Sequence, residues 1–193
     1  FARAVNPPLF VHPGWMLNWW DCLGGGELYA LTSRRNGVLV GLLPAQIWQG
    51  RIVFLAQSIS DRLDALYVDT EAAAEIRSAL VHERLDLQEL CPESALAGPE
   101  CEPGSICLFL DLRSKSVPSR VVKNLRTQER RLGEHTYETS DAPREYLPEL
   151  FRLHEARWET KAAESCGVLA DPRVREFHNR ADAVLSEAGL LRF

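Results

Sequence analysis

The triplet Arg35-Asn36-Gly37 lies between two short apolar runs, residues 28–33 and 38–43. Asn-Gly tolerates positive φ, so the triplet reads as the turn of a β-hairpin. The front of the chain is thereby committed to antiparallel pairing. Two further apolar stretches, IVFLA at 52–56 and LDALYV at 63–68, read as strands that extend the pair. Ahead of the hairpin, PGWMLNWWDC at 13–22 opens with Pro13 and carries Trp15 and Trp19 four residues apart. That spacing puts both indoles on one face of a short helix, which Gly24-Gly25-Gly26 ends.

The pattern continues with a helix over 70–82, with Thr70 as its cap and Glu71 and Glu75 suited to its N-terminal half. A strand is expected at 85–90, a Pro/Gly/Glu-rich loop at 91–104, and a strongly apolar buried strand, SICLFLDL, at 105–112. From 116 onward the pattern turns helical. Helices are expected at 116–133, at 144–163 and at 171–187, with a short strand at 135–140 and a strand beginning at 189–193. The second helix carries Leu147, Leu150, Phe151, His154 and Trp158 on one stripe. The third begins with Asp171-Pro172 as cap and first turn. Strands dominate the first 112 residues and helices the rest. The expectation is therefore a mixed α/β fold (α+β) in two units, 1–112 and 113–193.

Composition narrows the function. A chain of 193 residues can bury a substantial core, and its net charge of −5 argues against wholesale nucleic-acid binding. No apolar run approaches the ~20 residues of a membrane span. Phe1 to Asn6 does not resemble a signal peptide. The chain starts without Met and is read as a fragment or a processed form. The five cysteines, Cys22, Cys91, Cys101, Cys107 and Cys166, are odd in number and lack a C-x-x-C pair. They are read as mostly buried thiols in a reducing cytoplasm, without a disulfide framework or a metal site.

Three features bear on chemistry. From Arg113 to Arg131 there are seven basic residues and one acid, Glu129, a local balance of +6 that leaves −11 on the remainder. Lys123, Arg126 and Arg130 are spaced to share a helical face, which suits phosphate or another polyanion. A solvated surface helix is the plain alternative. In LHEARW at 153–158, His154, Arg157 and Trp158 can approach one side of a helix. A His beside an Arg at a cleft serves proton transfer or substrate orientation, while the plain alternative makes the same residues a core stripe. In SISDRLDALYV at 58–68, Asp61 and Asp64 flank a turn, where a carboxylate acts either as a general base or as ordinary turn chemistry. Nucleophile-elbow, Walker, zinc-protease and dinucleotide-binding motifs are all absent.

Taken in order, HPGWMLNWWDCLG, the hairpin ending VGLLPA, FLAQSISDRLDALYV, SRVVKNLRTQERRL, LFRLHEARW and DPRVREFH resemble the CelD-like acetyltransferase family of the GNAT superfamily. That family is itself related to Fem-type aminoacyltransferases. KNLR at 123–126 and LHEARW at 153–158 are the most specific parts. The resemblance implies two GNAT-like domains in tandem, the first over 1–112 and the second beginning at 113 and incomplete. It implies acetyl-CoA or another acyl-CoA as co-substrate, held by backbone amides at a helix N-terminus. No Q/R-x-x-G-x-G/A turn occurs here, so that site is expected beyond residue 193, and no residue is assigned to the donor.

The implied reaction is attack of an amine or hydroxyl on a thioester, needing alignment and removal of a proton. Lys123, Asn124, Arg126, Arg157 and Trp158 are expected at the substrate, with Asp64 and His154 as the catalytic candidates. The expected partner is a small-molecule or saccharide acceptor of envelope-polysaccharide synthesis, in the cytoplasm. Two other classes stay open. One is a Fem-like transferase using charged tRNA, whose acceptor stem would face the basic helix. The other is a non-catalytic scaffold, a homo-oligomer included, with the Trp15/Trp19/Trp20 cluster as its interface.

Overall fold

The computed structural model describes residues 1–104, 117–136, 138–140, 143–159 and 167–191. The expected strand at 105–112, Cys107, Cys166 and the far end of the helix over 144–163 lie outside them.

The chain opens with α1 (Ala2–Val5), a 3₁₀ turn at Leu9–Val11, and α2 (Pro13–Leu23). His12 caps α2 by accepting the Gly14 amide on Nδ1 at 3.0 Å, and Pro13 occupies the first helical position, where no amide is needed. The hairpin follows: β1 (Glu27–Arg35) and β2 (Val38–Trp48) pair antiparallel from Glu27↔Ile47 to Arg35↔Val38. Asn36 and Gly37 sit at φ of 50° and 79°, the left-handed pair a two-residue hairpin turn requires. β2 runs five residues further than the apolar pattern suggested. Pro44 reads as a strand breaker, yet it lies inside β2 opposite Ala30, and its carbonyl accepts the Leu55 amide at 3.2 Å. A second tight turn at Gln49 and Gly50, again both at positive φ, leads to β3 (Arg51–Phe54).

β2 is the centre of the sheet. β1 borders one side; β3 and the two-residue β4 (Leu66–Tyr67) pair with successive parts of the other. The expected strand over 63–68 contracts to β4 because the Ala65 amide turns to the Asp64 carboxylate, at 2.7 Å, instead of to a neighbouring strand. The expected strand at 85–90 does not form. Only Leu85 and Leu90 bridge, to Ile52 and Leu63, and Glu89 between them takes a φ of 61°, which breaks extended backbone.

α3 (Thr70–Leu80) packs across the sheet with Ala72, Ala73, Ile76 and Leu80 buried on one stripe. Its cap is Asp69 and not Thr70: the Asp69 carboxylate accepts the Ala72 amide at 2.8 Å and holds Arg35 of β1 at 2.7 Å and 2.9 Å. Gly41 of β2 permits the close approach, since a Cβ there would stand 2.9 Å from the Ile76 side chain. The loop over 91–104 is as expected, and among the described residues of 135–140 there is no strand.

The helical segment supplies α4 (Ser119–Leu132), a 3₁₀ turn at Pro143–Glu145, α5 (Leu147–Glu159), a 3₁₀ turn at Val168–Ala170, and α6 (Pro172–Glu187). α5 starts later than expected, with Pro148 in its first turn, where proline is tolerated. Leu147 and Phe151 are buried, but Leu150 is 41% exposed, so the apolar stripe is narrower than its spacing suggests. Asp171 caps α6, accepting the Arg173 amide at 2.8 Å. Val174, Phe177, Ala181 and Leu185 then fall on one buried face.

That face closes the main core. Phe177, Ala181 and Leu185 join Trp15, Met16 and Trp19 of α2 with Leu43, Phe54, Leu63 and Ile76 in one cluster. Trp15 meets Phe177 edge-on, ring centroids 4.7 Å apart, and donates its indole N–H to Ser60 at 2.8 Å. Gly14 sits where α2 and α6 come closest; a Cβ there would lie 2.5 Å from a methyl of Val184. Trp15 and Trp19, the proposed interface of the scaffold reading, are therefore core residues, and Trp20 packs half-buried against them. A smaller cluster joins Leu147 and Phe151 to Leu169 and Val174.

Candidate functional site

The expected site residues occupy three places. The first is α4. Burial does not hold this helix: none of its residues is buried, and Leu125 and Leu132 are 62% and 65% exposed. Lys123, Arg126 and Arg130 do share a face, and with Val117, Ser119 and Val122 they line a groove of about 440 Å³. Arg130 is steadied by donating Nε to the Arg126 carbonyl at 3.1 Å. Asn124 is exposed and lies about 100° round the helix from Lys123, outside the groove lining.

The electrostatics of α4 stand apart. Elsewhere Arg35, Arg77, Arg152, Arg173, Arg175 and Arg180 each hold a carboxylate. Among the described residues no carboxylate lies within ion-pair distance of Arg120, Lys123, Arg126, Arg130 or Arg131. The helix dipole favours Arg130 and Arg131 in the last turn but does nothing for Lys123 and Arg126 in its middle.

The second place is the end of α5. The Trp158 indole donates to His154 Nε2 at 3.0 Å, with ring centroids 6.0 Å apart. An indole only donates, so this bond requires a bare Nε2 and puts the ring's proton on Nδ1. That Nδ1 is buried and finds no hydrogen-bond partner among the described residues. Gly167 presses on the pair: a Cβ there would fall 2.2 Å from His154 and 2.6 Å from Trp158, so only glycine fits, and its φ of 71° agrees. Arg157 is exposed. The residue that sets this corner is Arg175 of α6. It holds Glu155, donates to the Leu169 carbonyl at 2.6 Å, and lies 5.6 Å over the Phe151 ring. Its partners are spread over α5 and a turn, so sequence spacing gave no sign of the role.

The third place is Asp64, beside β4. Ser94 donates its hydroxyl to Asp64 Oδ1 at 2.7 Å, and Ser94 in turn accepts the Leu96 amide at 3.0 Å. Burial pushes the Asp64 carboxyl above its ordinary value, against the opposing pull of Ser94, the Ala65 amide and Tyr67. Tyr67 is itself pushed up, by burial first and then by the neighbouring carboxylate. Asp61 is exposed. The hydrogen-bond partners of Asp64 all belong to 65–94, and none comes from α4 or α5. Asp64 is half-buried, whereas a fully buried carboxylate, Asp182 of α6, escaped the sequence reading; Ser186 donates to it at 3.3 Å and Arg144 stands 3.8 Å away.

Cys22, Cys91 and Cys101 are free thiols. Cys22 and Cys91 are half-buried, but Cys101 is exposed, contrary to expectation, because it lies in the polar loop before residue 104. Among the described residues no cluster of His, Cys, Asp or Glu could hold a metal ion, and no helix is long and apolar enough to cross a membrane.

No curated protein and no solved structure matches the chain significantly. A family model does: residues 119–193 match the acetyltransferase (GNAT) domain. The match starts at the first residue of α4 and takes in α5 and α6. The mixed architecture of antiparallel sheet and helices agrees with a GNAT-like fold. The three groove cations, the His154–Trp158 pair and the helix that closes the core thus lie within the segment that matches the acetyltransferase (GNAT) domain model.

Proposed function

We propose that the chain acts in acyl transfer from acetyl-CoA or another acyl-CoA to an amine or hydroxyl of a saccharide acceptor, in the manner of CelD-like acetyltransferases. The observation that carries this reading is the coincidence of the matched segment with the site: the match opens on α4 and includes every candidate but Asp64. In such a reaction the acceptor's lone pair attacks the thioester carbonyl, the thiolate leaves, and the attacking atom sheds a proton. The protein must hold the acceptor in line and receive that proton. Lys123 and Arg126, with Asn124 beside them, would hold the acceptor. Arg157 and Trp158 would line its approach.

His154 has its Nε2 held by the Trp158 indole and its Nδ1 buried, so a local opening must first expose the ring to an acceptor. To accept a proton it must first give up its bond from Trp158. Asp64 is the candidate base, its carboxyl raised by burial. The donor is assigned to no residue, because the chain has no Q/R-x-x-G-x-G/A turn.

The test is thermal denaturation with increasing acetyl-CoA, together with acetyl transfer to amino-sugar acceptors. A ligand at a hundred times its Kd stabilises the native state by about 2.7 kcal/mol, so binding must raise Tm. A rise in Tm with acetylated product, in this chain or in one extended past residue 193, supports the reading; a flat Tm and no product in both defeat it. The basic α4 also suits the Fem-like alternative, which predicts instead transfer from charged tRNA with steep salt dependence.

A further inference from the structure

We infer that the groove on α4 is a binding site for a phosphate-bearing acceptor, with Lys123, Arg126 and Arg130 on its phosphoryl oxygens and Val117 and Val122 against its apolar part. The inference rests on the acyltransferase reading only in calling that ligand the acceptor.

Three observations lead there. The three cations lie on one face over eight residues, about 10 Å of helix. One carboxylate needs one arginine fork; three cations in a row call for a ligand with at least two negative charges and many acceptor oxygens. Like charges at this spacing repel and weaken a helix. No carboxylate among the described residues relieves them, although the chain carries an acidic excess elsewhere. Finally, Val117 and Val122 line the same groove beside the cations. A nucleic acid would call for a longer basic track with aromatic side chains to stack on, and α4 has no aromatic residue.

Isothermal titration with pyrophosphate and with a sugar phosphate tests this on the whole chain. The expected result is saturable binding, weakened about tenfold or more by Arg126→Ala or Arg130→Ala, since a hydrogen bond between charged groups is of that order. Arg131→Ala, about 100° round the same helix from Arg130 and outside the groove lining, should leave it unchanged. All three positions are exposed, so the variants keep their fold, which circular dichroism checks. Equal weakening by Arg131→Ala would mean a diffuse charge effect and overturn the site. Displacement of pyrophosphate by coenzyme A would give the groove to the donor and overturn the acceptor assignment. Tighter binding of tRNA, weakened by the same variants, would overturn the small-ligand reading. Acetyl transfer to a sugar phosphate that ignores both groove variants would sink this inference and leave the acyltransferase standing. Pyrophosphate binding without any acetyl transfer would do the reverse.

Discussion

At the scale of single residues, Asp64 and Asp69 make an instructive pair. Both are carboxylates at the edges of short elements, and their surroundings drive them in opposite directions. Arg35 and the Ala72 amide hold the Asp69 carboxyl down at about 2. Its support for the fold is present above the ordinary carboxylate value and fades as pH falls toward 2. Tm measured from pH 5 to pH 2 should therefore drop more for the native chain than for Asp69→Asn, with the two curves converging at the acid end. Asp64 has the reverse sign. Its carboxyl is raised by burial, so ionising it costs the folded state, and the relative penalty grows as pH rises through its folded value. Asp64→Asn can keep the bonds from Ser94 and Ala65 and should melt no lower than the native chain at pH 7. If Asp64 is the base, that variant loses kcat; an unchanged kcat from pH 6 to 9 removes it from the mechanism. None of this was legible beforehand. Ser94 lies 30 residues from Asp64 in a loop that composition marks only as irregular. Thr70 and Asp69 are equally good caps on paper, and Arg35 decides between them.

At the scale of elements, turns were the most readable feature. Asn36-Gly37 announced its own geometry, while Gln49-Gly50 makes the same turn with a weaker signal, and Pro44 disguised the length of β2. Amphipathic spacing located α2, α3 and α6 within a residue or two, because a buried stripe has to follow the helical period. It could not name their partners. The α2–α6 contact depends on Gly14, which looks unremarkable in sequence. Gly14→Val should cost about 1–3 kcal/mol by overpacking against Val184. Adding Val184→Ala should recover much of it, a coupling that a double-mutant cycle in urea would measure. If Val184→Ala brings no recovery, the close approach is not where the strain lies. α4 was legible as basic and helical, and its groove follows from spacing alone. That no carboxylate among the described residues pairs with it could not be read from spacing.

At the scale of the whole molecule, the shared core links the strand-rich front to the last described helix. Phe177 is fully buried among residues of α2 and the sheet, so Phe177→Ala should lower stability by about 3–5 kcal/mol and be felt throughout the fold in a single melting transition. A melt that split into two, with the front part unaffected, would refute that coupling. Spacing could not show it, since it reports which face of a helix is apolar and says nothing of what that face will meet.

The late arrival of Phe177 also bears on how such a chain emerges from a ribosome. Trp15 is made more than 150 residues before the side chain that covers it. During that interval the hairpin and α3 can assemble from local contacts, while the indole of Trp15 stays open to solvent on one side. A nascent chain stalled before α6 should fluoresce at the longer wavelengths of wet tryptophan and invite a chaperone. Synthesis of α6 would release it.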